Sequence, residues 1–105
     1  MNPVVHFEIP AGDTKRVSKF YSDAFGWKLH DTGEAMGHYI LAQTGPTDKD
    51  GMIQKVGMIN GGIFIRTEKT GSSTLLTMSV DNLEESMKKV VASGGKLVGE
   101  PVDIP

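Results

Sequence analysis

Hydrophobic and polar side chains alternate along residues 4–9, VVHFEI, and this pattern predicts a β-strand. One face of the predicted strand is fully apolar and therefore suits packing against helices. The other face carries His6 and Glu8, which point the same way because they are two residues apart. We therefore expect this polar face to line a cavity or a solvated surface.

A helical pattern follows the first strand, because apolar residues recur at spacings of three and four over residues 14–25. Asp13 is the predicted N-cap of this helix. Gly26 is the predicted C-terminal stop. The apolar stripe of the helix consists of Val17, Phe20, Tyr21, Ala24 and Phe25.

The remaining pattern predicts more strands and a second helix, which makes the chain an α+β protein. Gly61 and Gly62 lie within one of these strands and predict a bulge or a close backbone approach. The segment GGKLV, residues 94–98, predicts a further strand after the second helix. The other predicted elements are strands 27–31, 36–43, 58–66 and 74–80 and a helix over 83–93, with Asp81 or Asn82 as its N-cap.

The two helices belong to a weak internal repeat. When Asp13 is aligned with Asp81, GWKL of residues 26–29 overlies GGKL of residues 94–97. Each helix is preceded by a strand, so the repeat predicts one domain of two modules, about 1–67 and 73–105. The second module stops before its last strands, and open strand edges favour association. We therefore expect another chain or a further segment to complete it.

Composition narrows the classes of function. The 105 residues include no cysteine, which excludes a disulfide framework, a thiolate zinc site and a cysteine nucleophile. The net charge is −2, and the charges are mixed along the chain, which argues against nucleic acid and anionic membranes as partners. The N-terminus has no signal pattern and no apolar run reaches the length of a membrane span, so a cytoplasmic protein is predicted.

Three segments together resemble the glyoxalase/bleomycin-resistance/extradiol-dioxygenase superfamily, also called the vicinal oxygen chelate fold. They are VVHFEIPAGDTKRVSKFYSDAFGWKL, NGGIFIR and VDNLEESMKKVVASGGKLVGEPVDIP, and the likeness covers essentially the whole chain. It implies two βαβββ-type modules that form a cupped mixed sheet with helices on the outer face. It also implies a metal or a small molecule in the cup and a homodimer, with the last strands of the second module lacking here.

The resemblance further implies a divalent metal, such as Zn, Ni, Mn or Fe, in the enzymes of the family. His6 occupies the family's first-strand ligand position. Its partner in the second module falls at about Leu75, but residues 74–80 contain no His, Glu or Asp. With His6 as the single family ligand in view, a complete metal site within one chain is disfavoured.

These considerations favour a protein that binds a small, aromatic or drug-like molecule in the cup without a complete metal site. An alternative is a metal-dependent lyase, isomerase or dioxygenase whose other ligands come from a missing segment or a partner chain. A third alternative is an interaction module that uses an exposed sheet edge, so the sequence leaves enzymatic activity open. The predicted ligand-binding residues are His6, Glu8, Trp27, Tyr39, Leu75 and Thr77.

Overall fold

A computed structural model describes residues 1–52 and 54–102. It contains five strands, two α-helices and one 3-10 turn, so the α+β class is confirmed. Residues 103–105, the end of the predicted second module, lie outside the described residues. The elements are β1 (Val4–Ala11), α1 (Thr14–Phe25), β2 (Lys28–Asp31), the 3-10 turn (Glu34–Met36), β3 (Ile40–Gln43), β4 (Asn60–Ile65), β5 (Leu75–Met78) and α2 (Leu83–Ala92).

The five strands form one mixed sheet in the order β2-β3-β4-β1-β5. The strand β1 runs parallel to β4 on one side and antiparallel to β5 on the other. The strands β2, β3 and β4 form an antiparallel meander. This order places β1 between β4 and the edge strand β5, so its polar face has a strand on each side.

The helix α1 begins and ends where the sequence predicts. The Asp13 side chain accepts a hydrogen bond from the backbone N–H of Arg16 at 3.0 Å, which satisfies one of the free donors of the first turn. Gly26 closes the helix in the left-handed conformation with φ of 72°. The chain then reverses directly into β2.

The core lies between α1 and one face of the sheet. Ile63 of β4 is fully buried, and Val17 and Tyr21 of α1 pack against the cluster around it. Phe20 and Phe25, at the margins of the helix stripe, stay exposed at 56% and 64%. Among the described residues, the buried hydrophobic side chains all come from the first 65 positions and are Ala11, Ile40, Ala42 and Ile63, with Ile9, Val17, Tyr21 and Leu29 packed against the cluster of Ala11, Ile40 and Ile63.

The second helix forms close to its predicted bounds but makes few contacts with the sheet in the described residues. Asn82 is its N-cap, since its side chain accepts a hydrogen bond from the backbone N–H of Glu85 at 3.0 Å. Contacts between α2 and the other elements are sparse across the described ranges, and its apolar residues Val90 and Val91 stay exposed. A shallow groove of about 530 Å³ separates α2 from Leu97. Neither helix within 1–52 and 54–102 is long and apolar enough to cross a bilayer.

Two strand predictions require correction. The strand predicted from GGKLV does not form, and residues 95–98 are irregular. A strand needs a neighbour for its backbone hydrogen bonds, and within the described part of the chain this segment has none. The strand predicted over 36–43 begins only at Ile40, because Gly37 and His38 adopt positive φ values of 63° and 56°, which break the extended conformation.

Candidate functional site

The candidate site lies on the sheet face opposite α1, which we call the cavity face. His6 and Glu8 of β1 are both half-buried there. Leu75 and Thr77 of β5 lie beside them, so four of the six predicted ligand-binding residues share one part of the sheet. In the strand register, Asn60 and Thr77 flank His6, and Gly62 and Leu75 flank Glu8.

Tyr39, the fifth predicted residue, reaches this group across β4. Its ring lies directly on the backbone of Gly62, and a Cβ atom at that position would overlap the Tyr39 hydroxyl. Glycine is therefore required at position 62 for the phenol to lie on the sheet. The group that approaches the backbone of Gly62 is the side chain of Tyr39, the residue before β3.

The Tyr39 hydroxyl contacts His6, with 3.1 Å between the phenol oxygen and Nε2 of the imidazole. Partial burial raises the pKa of the Tyr39 phenol far above its ordinary value of 10, and the nearby negative charge of Glu8 raises that pKa further. The phenol therefore keeps its proton at physiological pH. His6, Tyr39 and Glu8 form one polar group, which we call the His-Tyr-Glu cluster.

Trp27, the sixth predicted residue, lies apart from the other five. Its ring stacks on Tyr21 of α1 with 4.5 Å between ring centroids and 9° between planes. It also contacts Phe7, at 5.6 Å between centroids. Phe7 is adjacent to His6 along β1 and so faces the opposite side of the sheet. The structure thus places Trp27 in the aromatic cluster beside α1.

A recess of about 540 Å³ opens at the start of β1 and β4. Met52 and Met58 form apolar walls, and Asn60, the register neighbour of His6, forms part of the polar wall. The backbone N–H of Thr44 donates to the Asn60 side chain at 3.0 Å and holds it in place. Asn60 was not among the predicted ligand-binding residues. The signal for it in the sequence was its place as the polar residue of the NGG segment.

In the described residues, the potential ligands around His6 are too few for a complete divalent-metal site. Nε2 of His6 is engaged with the Tyr39 hydroxyl. Its register neighbours on β5 and β4 are Thr77 and Asn60, which offer no imidazole or carboxylate. Within residues 1–52 and 54–102, no group of three or more His, Asp or Glu side chains is placed to hold a metal ion.

The fold is consistent with a known superfamily. The family model of the Glyoxalase/Bleomycin resistance protein/Dioxygenase superfamily matches residues 4–105, and the chain belongs to that superfamily. A similar protein from Didymella fabae, named "Glyoxylase-like domain-containing protein", is 31% identical over 102 residues. The alignment covers 92% of this chain and 72% of that protein.

Proposed function

We propose that this protein binds a small, aromatic or drug-like molecule on the cavity face without a complete metal site of its own. The observation that carries the proposal is the His-Tyr-Glu cluster, which is held on the sheet by the Tyr39–Gly62 contact. A few fixed polar groups among apolar walls are typical of small-molecule sites. The superfamily membership of the chain supports the same class of function.

Apolar surface next to the cluster supports this proposal. Leu75 lies beside Glu8 in the register of β5 and is 47% exposed. Leu41 pairs with Gly62 from the other side and is also 47% exposed. Exposed leucines on both sides of a half-buried polar group would contact the ring of an aromatic ligand while the cluster orients its polar atoms.

Fluorine NMR tests ligand binding directly, because the chain contains only two tyrosines. In protein labelled with 3-fluorotyrosine, Tyr39 reports on the cavity face and Tyr21 on the aromatic cluster beside α1. We expect compounds from an aromatic library to shift the Tyr39 signal and leave the Tyr21 signal unchanged. The variants Tyr39→Phe and Tyr21→Phe assign the two signals.

Two results would contradict the proposal. One is a library in which no compound shifts Tyr39 selectively. The other is saturable binding of Zn, Ni, Mn or Fe(II) that shifts Tyr39 and disappears in His6→Ala, which would favour the metal-dependent enzyme instead. His30→Ala is the matched control, because His30 lies on β2, three strands away from β1 in the sheet.

We also infer that a second copy of the chain covers the outer edge of β5 and closes the cup as a homodimer. Among the strands formed by the described residues, β5 pairs with β1 alone. Its sequence LLTM has no charge, and Leu76 and Met78 are exposed at 63% and 58%. Uncharged open edges favour strand pairing.

Light scattering tests the dimer. We expect a dimer in wild type, a monomer in Met78→Lys, which places a charge on β5, and a dimer in the control Val98→Lys. A monomeric wild type would contradict this inference.

A further inference from the structure

We propose that the recess at the start of β1 and β4 binds the carbonyl-bearing end of an aromatic ligand, and that Asn60 recognises the carbonyl oxygen. The recess thereby supplies a hydrogen-bond donor that is separate from the His-Tyr-Glu cluster. The inference rests on the proposed function, because it names the chemistry of a ligand that binds on the same face of the sheet.

The orientation of the Asn60 amide follows from its neighbour. The backbone N–H of Thr44 lies within hydrogen-bond distance of the Asn60 side chain, at 3.0 Å, and a backbone N–H can only donate. The amide oxygen of Asn60 must therefore face Thr44, because the amino group of the amide cannot accept this proton. The NH2 group consequently lies on the other arm of the amide.

Thr44 fixes the position of Asn60 as well as its orientation. The side-chain hydroxyl of Thr44 donates to the backbone carbonyl of Ile59, the residue before Asn60. Two hydrogen bonds from one residue thus hold the start of β4 and restrict rotation of the amide. A donor that is already fixed loses little conformational entropy when a ligand binds.

The NH2 group of Asn60 is available to a ligand. Among the hydrogen bonds within residues 1–52 and 54–102, the Asn60 side chain takes part only in the one with Thr44. In the same ranges, Ser18 Oγ is the buried side-chain atom that lacks a partner, so the NH2 group of Asn60 keeps access to solvent. A purely apolar molecule that covers this group would leave a donor unpaired, whereas a carbonyl oxygen would accept its proton.

The walls of the recess suit the aromatic part of such a ligand. Val4, Val5 and Met52 are all exposed there, so a ligand would cover apolar surface that water now reaches. The Met58 thioether lies against the backbone of Gly45, where a Cβ atom would overlap it. Methionine side chains adapt to the shape of the group they contact. The volume of about 540 Å³ accommodates a single-ring compound.

The ligand class is tested with acetophenone and α-methylstyrene, which have nearly the same shape but carry C=O and C=CH2, respectively. Binding is followed by NMR of ¹³C-labelled methionine methyl groups, because Met52 and Met58 line the recess. Met36, in the 3-10 turn, is the internal reference, and Met87 reports unspecific binding in the shallow groove beside α2. The variants Met52→Leu and Met58→Leu assign the two signals of the recess.

The variant Asn60→Asp isolates the donor, because it keeps an oxygen for the Thr44 N–H and removes the NH2 group. We expect the ratio of acetophenone affinity to α-methylstyrene affinity to fall roughly tenfold from wild type to Asn60→Asp. The comparison of ratios cancels the lower water solubility of the hydrocarbon. Asn82→Asp is the matched control, since it makes the same change at the N-cap of α2 and should leave the ratio unchanged.

A second measurement depends on no variant. The chain contains three asparagines, so the side-chain amides of ¹⁵N-labelled protein give few signals. Acetophenone should shift the NH2 signals of Asn60 more than α-methylstyrene does, and neither probe should shift those of Asn82. Equal shifts of the Asn60 signals by the two probes would overturn the proposed recognition of the carbonyl.

The outcomes separate this proposal from the proposed function. An affinity ratio that is unchanged in Asn60→Asp overturns the role of Asn60, and probes that shift Met87 as strongly as Met52 and Met58 overturn the site. If library compounds shift Tyr39 while acetophenone leaves Met52 and Met58 unchanged, the recess proposal is wrong and the proposed function stands. If neither Tyr39 nor the recess responds, both proposals are wrong.

Discussion

The phenol of Tyr39 lies directly on the backbone of Gly62, with no space for a side chain between them. Gly62→Ala should therefore displace the ring, break the contact with His6 and destabilise the protein by about 1–3 kcal/mol, the usual cost of overpacking. Urea denaturation measures the loss. In a Tyr39→Ala background the same substitution should cost clearly less, because the overlapping group is gone.

Gly61→Ala is the matched control for this prediction. A Cβ there would overlap the ring of Phe7 on the helix side of the sheet. We expect a similar loss of stability, but the ¹⁹F signal of Tyr39 should change much less than in Gly62→Ala. Equal changes of that signal in both variants would show that Tyr39 does not depend on Gly62 specifically.

Alkaline pH should destabilise the protein through Tyr39. The folded state raises the pKa of this phenol above its ordinary value of 10, so above that pH the unfolded chain loses a proton that the folded chain keeps. The contribution of Tyr39 is thus fully present below pH 10 and is lost as pH rises toward its folded pKa. The free energy of unfolding, measured by urea denaturation at each pH, should decline less steeply above pH 10 in Tyr39→Phe than in wild type.

Glu8→Gln should lower the pKa of Tyr39 without returning it to 10. Removing the carboxylate charge makes the phenolate less unfavourable, but burial, the larger cause of the shift, remains. A ¹⁹F titration of 3-fluorotyrosine-labelled protein measures the change against the Tyr21 signal. Glu68→Gln, in the loop after β4, should leave the titration unchanged. A Tyr39 pKa that rises in Glu8→Gln would contradict the arrangement.

Ile63→Ala should destabilise the protein by about 2–5 kcal/mol, because Ile63 of β4 is fully buried in the core beneath α1. Val98→Ala truncates a residue that is 92% exposed and should change stability by no more than about 0.5 kcal/mol. Thermal unfolding of the two variants beside wild type provides the comparison. A large loss in Val98→Ala would show that the second helix region is buried in solution.

Loss of the N-cap should affect global stability more in α1 than in α2. Asp13→Ala should lower the free energy of unfolding by about 1 kcal/mol, because α1 covers the core. Asn82→Ala should speed amide exchange in the first turn of α2 with little effect on global unfolding, because α2 packs sparsely on the sheet. Equal global losses would show that α2 is coupled to the core.

Much of the fold follows from local sequence signals. The alternation in VVHFEI predicts both β1 and its two faces, and Asp13 and Gly26 predict the limits of α1, because caps act on neighbouring residues. The strand predicted after α2 does not form. A strand depends on a neighbouring strand, which the local pattern of hydrophobic residues does not reveal.

The candidate site was harder to derive for the same reason. Alternation places His6 and Glu8 on one face, but the contact of Tyr39 with His6 depends on the register of three strands and on the left-handed His38 that precedes the tyrosine. The position of Trp27 was within reach, since Leu29, two residues later, packs on the core and implies the same face for Trp27.

The pair Gly61 and Gly62 determines how thick the sheet is between two aromatic rings. Phe7 rests on one of these glycines from the helix side, and Tyr39 rests on the other from the cavity side. Only the thickness of a peptide backbone separates the two rings, with no side chain between them to absorb a displacement. At this point the sheet is therefore only one peptide backbone thick, and each ring is positioned by its own glycine.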